Sequence, residues 1–127
     1  MLVLEGIITI VFLNFYIQNM LDTIFITVID RENTAHNLEV PLDVPLSLME
    51  VCKSYELPVE AICGGIALCA TCQVYVESDH ELPEPSDDEW AMLDQAMHVK
   101  GNSRLGCQIR MGEELQDLVV RLAPEQV

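Results

Sequence analysis

Positive charge is scarce in this chain. Only 6 Lys and Arg stand against 21 Asp and Glu in 127 residues, giving a formal net charge of −15. Such a surface repels a phosphate backbone, so nucleic acid is disfavoured as a partner and a basic protein surface is favoured. No Lys or Arg precedes the apolar N-terminus, so a secretory leader is not expected. Cysteine is present in an odd number, five, which together with the missing leader argues against a disulfide framework. Thiols in a reducing cytoplasm hold metal or do redox chemistry instead, and a cytoplasmic location is expected.

A membrane span is not expected either. Gly6 to Leu21 is uncharged, but Asn14, Gln18 and Asn19 dilute the run below the usual spanning length. Residues 1–20 are therefore read as an apolar extension whose role the sequence leaves open: a docked helix or strand, a weak anchor, or sequence upstream of a start at Met20. Residues 21–127 make one domain, long enough to bury a core of its own.

Within that domain the hydrophobic periodicity is legible. "TIFITVID" (Thr23–Asp30) alternates with β-branched residues and predicts a strand, "RENT" (Arg31–Thr34) a turn, and "HNLEVPL" (His36–Leu42) the returning strand. Ser47 with Glu50 three residues on forms a capping box, flanked by a Leu46–Val51 hydrophobic staple. A helix from about Leu48 to Tyr55 follows, burying Leu48, Val51 and Cys52 and closed by Pro58. "CQVYVE" (Cys72–Glu77) predicts a third strand. A second capping box, Ser86 with Glu89, opens another helix. Its spacing places Trp90, Leu93 and Met97 inward, Asp87, Ala91, Asp94 and His98 outward, and Gly101 at the C-terminal cap. Cys107–Ile109 and "DLVVRLA" (Asp117–Ala123) predict two last strands. The order is that of an α+β domain without internal repeats.

The chemistry is concentrated in "CGGIALCATC", Cys63 to Cys72. Cys63, Cys69 and Cys72 have C-x5-C-x2-C spacing, and Cys107 follows after 34 intervening residues. Four thiolates suit a 2Fe-2S cluster, two per iron. The cluster with its thiolates carries a formal charge of about −2 when oxidised and about −3 when reduced. No Lys or Arg sits in the loop, so backbone N–H groups must stabilise that charge. Gly64 and Gly65 permit unusual dihedrals, and Ala67 and Ala70 let the backbone come close. A structural zinc site draws its ligands from two C-x2-C pairs, and Cys107 has no neighbouring cysteine, which weakens the reading as a zinc-stabilised interaction module. A thioredoxin-like use of Cys69 and Cys72 leaves Cys63 and Cys107 unexplained. A Rieske centre needs two histidines, and His36, His80 and His98 are remote from the cysteines in sequence. Cys52 is read as a small buried hydrophobe.

"CGGIALCATCQVYV" together with "SRLGCQI" (Ser103–Ile109) resembles the adrenodoxin and putidaredoxin branch of 2Fe-2S ferredoxins, over roughly Asp22 to Pro124. The resemblance implies an α+β, β-grasp (ubiquitin-like) ferredoxin fold with a mixed sheet, one main helix and an acidic interaction helix. It implies a one-electron carrier with no catalysis of its own. Cys63 and Cys69 would bind one iron, Cys72 and Cys107 the other. Two positions depart from the family: Gln73 stands where a His is common, and Ala91 where a carboxylate is expected.

The resemblance also gives "SDDEWAMLDQA" (Ser86–Ala96) a role as the docking helix, through Asp87, Asp88, Glu89 and Asp94. Acidic first turns are favoured by the helix dipole alone, so a plain solvated face is the alternative. Eight acids and no Lys or Arg between Glu77 and Asp94 exceed what capping needs. The implied electron source is an NAD(P)H-dependent flavoprotein reductase. The implied acceptor is a haem-thiolate monooxygenase or, alternatively, the iron–sulfur assembly machinery.

Overall fold

The computed structural model describes residues 22–59 and 71–126. The apolar extension, and Cys63 and Cys69 with the loop between them, lie outside the described residues.

Five strands form one mixed sheet in the order β2-β1-β5-β3-β4. β1 (Thr23–Ile29) and β2 (Ala35–Pro41) pair antiparallel, with Ile26 opposite Leu38. The intervening turn places Asn33 at φ 67, a left-handed conformation that Asn tolerates. Asp30 Oδ1 accepts the N–H groups of Glu32 and Thr34, both at 2.9 Å, which closes the turn. β5 (Val119–Leu122) runs parallel to β1 and antiparallel to β3 (Gln73–Val76). β4 (Ser103–Leu105), which periodicity did not predict, adds to the far edge of β3.

The alternation read in β1 is the alternation of burial. Ile24, Ile26 and Val28 point into the core with Leu38, Val40, Val120 and Leu122. Helix α1 (Leu48–Ser54) packs over them through Leu48, Val51 and Cys52, all at most 2% exposed, and also buries Met49. Ser47 caps it as expected, its Oγ accepting from Glu50 N at 3.2 Å, and Leu46 packs partly buried beside the core. At the other end Glu56 takes φ 60. The N–H groups of Glu56 and Leu57 return to the carbonyls of Lys53 and Cys52, a Schellman ending with Glu in place of Gly ahead of Pro58.

Helix α2 (Asp87–Gln95) departs from its predicted orientation. Leu93 is buried as expected, but Trp90 and Met97 are about half exposed and Glu89 is buried instead. Nor does Gly101 cap it. The helix ends at Gln95, and Ala96 is already extended. Tertiary contacts stop it there: Met97 N donates to Gln126 Oε1, and Met97 O accepts from Gln73 Nε2. The strand expected at Cys107–Ile109 is a 3-10 turn, Gly106–Gln108. A second such turn, Glu113–Leu115, precedes β5.

Candidate metal centre

Of the four candidate ligands, Cys72 and Cys107 are described, and the fold brings them to one place. Cys72 directly precedes β3, and Cys107 sits in the turn that follows β4. These strands are paired, Gln73 opposite Leu105, and the ladder runs one bond further: Gly106 N donates to Cys72 O at 2.8 Å. That bond fixes the main chain one residue before Cys107 against the main chain of Cys72. A side chain at this approach would be crowded. A Cβ on Gly106 would stand 3.1 Å from Cys72 O and 3.7 Å from Met49 N. Both thiols are buried, at 1% and 2% exposure.

The turn after β4 is held from the other side by α1. Leu48 N donates to Ile109 O at 2.8 Å, Met111 N to Leu46 O at 2.9 Å, and Ser47 forms a bridge with Arg110. Cys107 therefore lies on a segment clamped by a strand on one flank and a helix N-terminus on the other. Gln108 Nε2 donates to Cys107 Sγ at 3.3 Å. An N–H aimed at sulfur stabilises negative charge there, which is what a thiolate ligand needs. Buried thiols, a close backbone approach and an N–H donor on sulfur fit an iron–sulfur cluster. Cys52 has no such surroundings. It lies within the core of α1, and burial pushes its thiol up to about 12. Among the described residues no group of three or more His, Cys, Asp and Glu is placed to hold a metal ion.

Gln73, directly after Cys72, is 2% exposed. Its Nε2 reaches Met97 O at 2.9 Å, while its buried Oε1 has no hydrogen-bond partner among the described residues. The side chain thus links the residue after Cys72 to the segment after α2.

The acidic helix divides into two sets. Asp87, Asp88 and Asp94 are exposed. Glu89 does not belong with them, which corrects the docking set read from sequence. It is 1% exposed and accepts from Arg104 Nε at 2.9 Å, Arg104 Nη2 at 3.1 Å and Leu105 N at 2.9 Å. Only half of the second capping box forms: Ser86 Oγ accepts from Glu89 N, while the Glu89 carboxylate turns into the protein to meet Arg104. Arg104 and Gly106 were not singled out in the sequence, and neither was Gln108. Adjacency to Cys107 could have flagged Gly106 and Gln108. Arg104 carried no such signal.

A five-stranded mixed sheet crossed by α1, with two cysteines buried where paired strands end, is a fold of the β-grasp class. Comparison with known proteins makes this specific. Residues 31–112 match the 2Fe-2S iron-sulfur cluster binding domain. The 2Fe-2S ferredoxin of Rickettsia prowazekii is 39% identical over 105 residues, 81% of this chain and 92% of its own length. The mitochondrial adrenodoxin homolog of Saccharomyces cerevisiae is 41% identical over 78 residues, 60% of this chain and 45% of that protein. Putidaredoxin, in a covalent complex with putidaredoxin reductase, superposes with a TM-score of 0.69 at 34% identity, covering 78% of this chain and 97% of its own. The chain belongs to the 2Fe-2S ferredoxins of the adrenodoxin and putidaredoxin type. It carries a 2Fe-2S cluster and transfers electrons rather than catalysing a reaction of its own.

Proposed function

We propose that Cys63, Cys69, Cys72 and Cys107 hold the cluster, the first two on one iron and the last two on the other. In this reading the protein carries single electrons from an NAD(P)H-dependent flavoprotein reductase to a haem-thiolate monooxygenase or similar acceptor in the cytoplasm. The observation that carries the assignment is the bond from Gly106 N to Cys72 O, which ties together two buried cysteines 35 positions apart in sequence. When bound, the cluster supplies a one-electron couple. The protein's part is to keep water from Cys72 and Cys107, to donate N–H groups such as that of Gln108, and to hold these two cysteines at the end of the paired strands. The reductase reading is supported by the similarity to a ferredoxin solved with its reductase. It is supported also by the exposed Asp87, Asp88 and Asp94, a negative face suited to steering a basic partner. Among the described residues no helix is long and apolar enough to cross a membrane.

Single Cys→Ser variants at Cys52, Cys63, Cys69, Cys72 and Cys107 test the ligand set, with iron, sulfide and visible absorbance measured on each purified protein. The parent and the Cys52 variant should hold about two irons and two sulfides per chain, and the other four should lose or distort the cluster. A normal cluster in Cys107→Ser, or its loss in Cys52→Ser, overturns the assignment.

A further inference from the structure

Among the described residues six large hydrophobic side chains are exposed, and three of them, Trp90 (50%), Met97 (47%) and Val99 (45%), fall within ten residues of one another. The others, Phe25, Val44 and Tyr55, are scattered over separate elements, as single surface hydrophobics usually are. Trp90 lines a cleft of about 480 Å³ together with Leu82, Pro85, Val99, Asp94, Lys100 and Arg104. On the helix, Asp87 precedes Trp90 by three residues and Asp94 follows it by four, so both exposed carboxylates neighbour the indole on one face. No basic residue stands on α2 itself. An apolar aromatic anchor between charged groups is the usual anatomy of an interface hot spot. The core does not need this ring, because Leu93 and Glu89 already bury the inner face of the helix.

We propose that Trp90 is the apolar anchor of the reductase-docking surface, entering an apolar recess ringed by Lys and Arg on the flavoprotein. The proposal rests on the reductase reading given above and adds a division of labour to it. Asp87 and Asp94 set the encounter rate and its salt dependence. Trp90 sets how long the complex lasts, through burial that salt does not screen.

Trp90 is the only tryptophan of the chain, so its emission reports on the surface directly. The holoprotein and its Trp90→Ala, Trp90→Phe and Asp87→Asn/Asp94→Asn variants are titrated with putidaredoxin reductase and NADH at low and high salt, and initial rates of cluster reduction are recorded. Trp90→Ala should raise the apparent KM roughly tenfold at both salt concentrations with kcat little changed, as expected for a central interface aromatic. Trp90→Phe should recover most of the loss. The double Asp variant should raise KM at low salt alone. Parent-like KM in Trp90→Ala, with KM raised in the Asp variant, overturns the anchor and leaves the docking helix standing. Failure of the parent itself to accept electrons at any concentration overturns the reductase as the occupant. A parallel melting curve identifies any fall in kcat that comes from unfolding, and Trp90→Phe then decides the matter.

Discussion

Removing the Glu89 carboxylate should damage the protein out of proportion to its place on an acidic helix. Glu89 is 1% exposed and its partner's side chain, Arg104, 13%. Three hydrogen bonds end on its two oxygens, one of them from the N–H of Leu105, a fully buried residue. Glu89→Ala strands a largely desolvated guanidinium and an orphaned backbone donor at once. Breaking a buried ion pair from one side costs about 3–5 kcal/mol, and the residual access of Arg104 to water argues for the lower half of that range. For a domain of this size that corresponds to a fall in melting temperature of roughly 10–15 °C. Glu89→Gln keeps the shape and one acceptor oxygen and should cost about 1–3 kcal/mol. The double replacement Glu89→Leu with Arg104→Met removes both charges and should recover most of the loss from Glu89→Ala. The assay is loss of visible cluster absorbance on heating at one fixed scan rate, because cluster release makes the transition irreversible. If Glu89→Ala melts within about 2 °C of the parent, the pair does not anchor α2 and the reasoning fails.

Two further perturbations act elsewhere. Gln108→Leu removes the N–H that reaches Cys107 Sγ at 3.3 Å, a bond that stabilises the reduced, more negative cluster. The reduction potential should move to more negative values, and potentiometry showing no shift or a positive one contradicts the role. The hydrogen bond from His36 holds the Asp30 carboxyl below the usual carboxylate range, with the N–H groups of Thr34 and Glu32 adding to it. A depressed pKa gives stability that is present above the unfolded value, about 3.9, and lost as pH falls through the folded one. Asp30→Asn should therefore lower the melting temperature at pH 7 and flatten its decline below about pH 4; equal acid slopes in both proteins count against it.

What could be read from the sequence follows from where each contact partner lies. β1, β2 and α1 are built from local signals: alternation, the Asn33 turn and the Ser47 cap all act within a few residues. Helix α2 was legible as a helix for the same reason. Its orientation was not, because a carboxylate reads as outward on a helical wheel and the partner that draws Glu89 inward is fifteen residues away on β4. With Glu89 turned in, Trp90 must turn out. Met97 misleads for a different reason, since it lies beyond the helix end that its own bonds to Gln73 and Gln126 impose. β4 was missed because three residues carry too little alternation to signal a strand. The cysteine spacing, by contrast, is a local signal for a non-local site. Of its members the described residues include Cys72 and Cys107, both buried where β3 and β4 pair.

The same contacts tie the acidic helix to the segment that carries Cys107. Arg104, Leu105, Gly106 and Cys107 are consecutive. The first two are gripped by Glu89 of α2, the third bonds to Cys72, and the fourth is a candidate ligand. A partner that binds the outer face of α2 thus presses on an element pinned two residues from Cys107. Gln73 makes a second tie, from the residue after Cys72 to the segment after α2. Two short links from opposite ends of one helix to the neighbours of two cysteines fix its position over the β3–β4 end of the sheet. A partner that recognises the exposed face is thereby registered against Cys72 and Cys107, although it touches neither. Glu89→Gln should consequently raise the apparent KM for reductase beyond what the unchanged exposed charges predict, while substitutions at the exposed Asp88 should act through charge alone.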